Sequence, residues 1–123
     1  MTWSEVLRLA CEEVGMEHSL PNPSLQDYGP FDGFDCWIVA GLGYEHYLMG
    51  TDHPALPAYV AELLMAKVAN QKLCGDIYDN VLPTLSRTKH EWSLKYSPAK
   101  TRILAAMVAL GKLTLEQAQE VER

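Results

Sequence analysis

Two kinds of residue in this chain could do chemistry: a cysteine set among aromatics and turn residues, and carboxylates paired at helical spacing. Residues 27–37 hold both. Tyr28, Phe31, Phe34 and Trp37 crowd there with Asp32, Asp35 and Cys36, punctuated by Gly29, Pro30 and Gly33. Cys36 could act as a nucleophile only as the thiolate, which needs a cation, a histidine or a helix N-terminus to lower its pKa. Its place at the start of an expected helix would supply the last of these, whereas a lone cysteine more often packs as a small inert hydrophobe. Asp32 and Asp35 form one D-x-x-D pair and Asp76 and Asp79 a second, with Glu62 on the helix between them. Clustered carboxylates on facing helices suit a hard divalent ion such as Mg or Mn. The same acids at helix entries serve as caps and solvated charges. His46, Asp52 and His53 do not fall at a zinc spacing.

A third feature is charge. The chain of 123 residues has a net charge of −6, but residues 1–83 carry −9 and residues 84–112 carry +5. Arg87, Lys89, Lys95, Lys100, Arg102 and Lys112 supply the basic stretch against a single acid, Glu91. Such a stretch either docks on the acidic body of the same or a second copy, or meets a phosphate or an acidic partner. Trp92 and Tyr96 lie within it and could stack a base between cations. Aromatics at this spacing more often belong to a core.

The elements that must position these residues read as helices. Thr2 and Glu5 make a capping-box pattern ahead of the stripe Trp3, Val6, Leu7, Ala10 and Val14, and Gly15 is a stop. Residues 16–34, with Pro21, Pro23, Gly29, Pro30 and Gly33, form a long Pro/Gly loop after helix 1. Residues 35–49 put Trp37, Ala40, Tyr44 and Tyr47 on one helical face, with a buried strand over 36–42 as the competing reading. Asp52 and Pro54 announce a helix whose interior spans 59–73 and which Gly75 ends. A short further turn over 76–82 stops at Pro83. Residues 84–96 are open between strand, helix and loop. Ser97 and Pro98 start a helix that Gly111 stops, and Thr114 with Gln117 opens a last one over 115–121. The expectation is an all-α fold, a compact bundle of five or six helices forming one domain over residues 1–123.

Two stretches resemble known families. Gly33, Phe34, Asp35 and Cys36 after a Gly/Pro loop resemble the cysteine segment of NlpC-type cell-wall peptidases. That family continues with a small residue where this chain has Trp37, and it places its histidine on a strand. Residues 27–80 resemble small phage-encoded helical proteins related to MazG-type nucleoside triphosphate pyrophosphohydrolases. The supporting residues are Tyr28, Gly29 and Phe34, the run from Val39 to Leu42, Tyr47 and Leu48, and then Val60, Ala61, Leu63, Leu64, Lys67, Val68, Ala69, Asp79 and Asn80. The resemblance implies paired helices that hold magnesium around a nucleoside triphosphate, with the metal polarising the phosphates and helping to generate the hydroxide. Glu62, Asp76 and Asp79 would then be the metal ligands. The family's E-x-x-E and E-x-x-D pairs do not occur at the matching helices.

Several classes are excluded more simply. No phosphate-cradling Gly-x-x-x-x-Gly-Lys-Ser/Thr loop, dinucleotide fingerprint or Gly-x-Ser-x-Gly elbow is present. Three cysteines without a Cys-x-x-Cys pair form neither a disulfide framework nor a zinc knuckle, and point to a reducing cytoplasm. No apolar run reaches the roughly 20 residues that span a bilayer. The acidic balance opposes nucleic-acid binding. The expected function is a protein-binding module without a cofactor, in the manner of a phage protein that binds and inhibits or modulates a host defence protein. Its contact surface would use Tyr28, Phe31, Asp32, Asp35, Arg87, Lys89 and Lys95. The alternative is a Mg- or Mn-dependent nucleotide pyrophosphohydrolase; a further alternative is a structural subunit of a larger assembly. Homodimerisation is compatible with each, because the oppositely charged regions could pair between copies.

Overall fold

The computed structural model describes residues 1–19, 36–40, 46–50 and 54–123. Among these residues six helices build an all-α bundle: α1 (Trp3–Glu13), α2 (Leu56–Ala69), α3 (Lys72–Ser86), α4 (Glu91–Lys95), α5 (Ala99–Ala109) and α6 (Leu115–Glu122). Helix α5 is its centre. Thr101, Ile103, Leu104, Ala105, Ala106, Met107 and Ala109 are all buried on it, so it is enclosed on most sides. It packs most extensively on α3 and α2, and also on α6 and α1. The alanines matter here, because small side chains let neighbouring helices approach the central one closely.

Local signals set several boundaries. The Thr2 capping box forms in full: Glu5 N–H donates to Thr2 Oγ1 at 3.3 Å, and Thr2 N–H donates to Glu5 Oε2 at 3.0 Å. Thr114 and Gln117 repeat it at α6, with bonds of 3.0 and 3.2 Å. Gly15 and Gly111 follow α1 and α5 at φ 77° and 76°, a conformation that glycine adopts without steric cost.

Elsewhere the packing overrides the local signal. Gly75 was expected to end a helix, yet it lies in the first turn of α3. The break comes earlier, at Asn70 and the extended Gln71 (φ −128°, ψ 111°). Pro83 was expected as a stop, and α3 runs through it to Ser86. A proline in the last turn removes one helical hydrogen bond, while Tyr78, Val81, Leu82 and Leu85 on the same helix are buried in the core. Their burial outweighs the lost bond. Residues 84–96, open in the sequence, finish α3 and then form the short α4. Helix α5 begins one residue later than expected, with Pro98 rather than Ser97 preceding it.

Where residues 35–49 are described, the helical reading gives way to strands, the competing strand over 36–42 being met at 36–40 and a further one lying at 46–50. Strands β1 (Glu17–Ser19), β2 (Cys36–Ala40) and β3 (His46–Gly50) form a three-stranded antiparallel sheet with β2 in the middle. Cys36 pairs with Gly50 and Ala40 with His46, while Ser19 pairs with Cys36 on the other side. Adjacent Ile38 and Val39 favour a strand over a helix because branching at Cβ restricts their rotamers in helices. Trp37 is fully buried and belongs to the same core cluster as α1, α2 and α5, so it joins the sheet to the bundle.

One ionic cluster ties three elements together. Lys67 Nζ, in the last turn of α2, donates to Glu13 Oε1 at 2.7 Å and to the Glu13 carbonyl oxygen at 2.9 Å. Lys112 Nζ lies 3.5 Å from Glu13 Oε2. The lysine thus neutralises a carboxylate and also caps a carbonyl at the negative end of α1. The hydrogen bond from Lys67 holds the Glu13 carboxyl below its usual pKa, with the charges of both lysines adding to the effect.

Candidate functional site

Glu62, Asp76 and Asp79 stand apart from any cluster of acids among the described residues. Glu62 is exposed on α2, and Arg102 Nη1 on α5 lies 3.4 Å from its Oε1. A guanidinium at that carboxylate opposes a second cation by direct repulsion. Asp76 and Asp79 are exposed, one turn apart on α3, and Asn80 Nδ2 donates to the Asp76 carbonyl oxygen rather than to a carboxylate. Among the described residues, no group of three His, Cys, Asp or Glu comes together to hold a metal ion. Tyr28, Phe31, Asp32 and Asp35 lie outside the described residues.

The thiols of Cys11 and Cys74 are likewise placed for packing. Cys36 begins a strand, so the helix N-terminus that would have activated it is not there. Cys11 is buried on α1, and burial together with the Glu12 charge pushes its thiol up to about 12. Cys74 is buried and donates to Gln71 Oε1 at 3.2 Å.

The basic stretch behaves differently. Arg87 terminates α3 in the left-handed conformation (φ 56°, ψ 34°), and it is the non-glycine residue with positive φ among those described. Its N–H and that of Thr88 both turn back to the Pro83 carbonyl oxygen, the latter at 3.3 Å. Glycine suits this position best; a side chain costs roughly 1 kcal/mol there. The cation recovers part of that at the helix C-terminus, typically about 0.3–1 kcal/mol. The Arg87 side chain is exposed and makes no ion pair or hydrogen bond with the described residues. On one side it borders a cleft of about 510 Å³, shared with Thr88, Ser93, Tyr96 and Arg123. On the other it borders a hollow of about 330 Å³, shared with Lys89.

Helix α4 stands on the rim of this cleft and buries none of its residues. Trp92 is 65% exposed and Tyr96, just past the helix, 62%. They are four residues apart, so one turn of helix brings them together, with ring centroids 4.8 Å apart and planes tilted by 56°. Lys95 Nζ sits 6.0 Å from the Tyr96 ring centroid. The alternation of Trp92, Leu94 and Tyr96 suggested core. Leu94 alone packs against the core, half-buried, while the two aromatics face solvent. Ser97 holds the junction: its hydroxyl donates to the Leu94 carbonyl oxygen at 2.9 Å and lies 3.3 Å from Ser86 Oγ.

Of the cations that charge singles out, Arg87 and Lys89 share a hollow, Arg87 also shares the larger cleft with Tyr96 and the sequence-distant Arg123, and Lys95 lies against the Tyr96 ring. No family model matches the chain, and no curated protein or solved structure matches it.

Proposed function

We propose that the protein is a small binding module that docks an acidic protein partner on the edge formed by α4 and the end of α3. The exposed Trp92–Tyr96 pair, with Lys95 Nζ 6.0 Å from the Tyr96 ring and Arg87 lining the same cleft as Tyr96, is the observation that carries this reading. Leaving two large aromatics in water forgoes about 1.5–3 kcal/mol for each that a partner could bury. Tryptophan, tyrosine and arginine are also the residues that dominate binding energy at protein interfaces. The surrounding cations select an acidic surface and speed the encounter. A phage-type inhibitor or modulator of a host protein fits this reading, on the strength of the sequence resemblance. Among the described residues no helix is long and apolar enough to cross a membrane.

A photoreactive phenylalanine derivative in place of Trp92 tests the proposal in cells that express the protein. The expected result is a discrete cross-linked protein that disappears in Lys89→Glu/Lys95→Glu. Cross-links to nucleic acid alone, or none above those from a residue on the opposite side of the bundle, would overturn it. Release of pyrophosphate from nucleoside triphosphates with magnesium or manganese, abolished by Asp79→Asn, would favour the enzymatic alternative.

A further inference from the structure

We propose that the cleft beside Arg87 is a carboxylate-recognition site, which takes an aspartate or glutamate side chain from an acidic peptide segment of the partner. This rests on the docking reading of the α4 edge and adds what the partner must present. At about 510 Å³ the cleft has the size of sites that hold a small ligand or a few peptide side chains.

Arg87 and Thr88 keep donors free in it, while the Ser97 and Thr101 hydroxyls are already bonded. Arg87 makes no ion pair or hydrogen bond with the described residues, and it occupies a left-handed turn where glycine would be easier. Backbone strain kept at a cleft is a pointer to use, and a guanidinium offers paired N–H groups that match a carboxylate. Thr88 Oγ1 accepts from the His90 N–H at 3.2 Å, which leaves its own proton to donate. Ser93 adds a hydroxyl and Tyr96 an aromatic wall for the methylenes of the incoming side chain.

The charge balance selects the ligand. The cleft contains one acid, Glu122, and the Thr101 hydroxyl lies 3.1 and 3.2 Å from its two carboxylate oxygens. Against Arg87 and Arg123 this leaves one net positive charge among the lining side chains. A singly charged carboxylate is neutralised by that lining, whereas a doubly charged phosphate would leave an excess negative charge beside Glu122.

The test is fluorescence anisotropy of a labelled glutamate-rich peptide, beside its glutamine counterpart and a phosphoserine version. The intact protein should bind the glutamate peptide saturably and in a salt-sensitive way, and the glutamine peptide at least ten-fold more weakly. Arg87→Gly should weaken glutamate-peptide binding about ten-fold while its circular dichroism and Tm stay unchanged or rise, because glycine fits that turn. Equal binding by Arg87→Gly, no saturable binding by the intact protein, or tighter binding of the phosphoserine peptide would each overturn the carboxylate assignment. Loss of binding in Trp92→Ala alone, with Arg87→Gly unaffected, would remove the cleft inference and leave the docking edge standing. Failure of the docking reading shows separately, in the cross-linking experiment.

Discussion

Helices α4 and α5 are neighbours in the chain, separated by three residues, and they have opposite fates. Helix α5 has seven buried residues and touches four other helices. Helix α4 has none, and it carries the most exposed tryptophan among the described residues. Their sequences do not announce this. Helix α4 offers Trp92 and Leu94 within five residues, whereas much of α5 is alanine. What separates them is the surface each meets: α5 runs between α2, α3 and α6, while α4 contacts little beyond the end of α3. An aromatic pair left in water is available to a partner, and a small alanine between helices is structural.

The strongest way to break this comparison is to cut into α5. Leu104→Ala removes a fully buried side chain and should cost about 2–5 kcal/mol in urea unfolding. A loss below about 1 kcal/mol would mean that α5 is not the centre of the bundle. The Glu13 cluster comes next. Glu13→Gln should cost about 1 kcal/mol at pH 7, since both lysines are partly exposed and solvent weakens their pull. The pH dependence has a definite sign. Glu13 titrates lower in the folded than in the unfolded protein, so its stabilisation is complete above the unfolded carboxylate pKa. It is lost as pH falls through the lower folded value. The gap in stability between wild type and Glu13→Gln should therefore close on acidification, and a gap that widened would contradict the assignment.

Smaller effects sharpen the other side of the comparison. Arg87→Gly should leave stability unchanged or raise it by up to about 1 kcal/mol, and should unfold later than Arg87→Ala, whose Cβ keeps the left-handed strain. Greater stability of Arg87→Ala would contradict the left-handed turn at residue 87. The smallest change is expected from Trp92→Ala, within about 0.5 kcal/mol, because little of that side chain is removed from water. A loss comparable with that of Leu104→Ala would place Trp92 in the core and remove the basis for a docking edge.

Much of the helical framework was legible where the controlling interaction is local. The capping boxes at Thr2 and Thr114, and the glycine turns at Gly15 and Gly111, act within four or five residues and formed as their spacing required. Gly75 and Pro83 were misleading for the opposite reason. Each carries a modest local penalty, and α3 absorbs both because its buried face is anchored on α5. The strands over 36–40 and 46–50 were half-legible: a strand over 36–42 stood as the competing reading, but the pairing of β2 with residues 17–19 depends on contacts far along the chain. Of the candidate site, the cations Arg87, Lys89 and Lys95 could be singled out because charge is additive along a sequence. The role of Trp92 and Tyr96 could not, since an aromatic residue carries no local sign of whether a neighbour will cover it.

By itself, the sequence determined the capped helix starts at Trp3 and Leu115, the glycine turns at Gly15 and Gly111, and the segregation of acid and base, because capping, glycine geometry and net charge act over a few residues or simply sum. The tertiary structure alone decided that Glu62 would face Arg102, that α4 would be left uncovered, and that Arg123 would share a cleft with Arg87. Those outcomes depend on which surfaces meet when six helices pack, and removal of apolar area from water is a property of the assembled bundle rather than of any short stretch of chain.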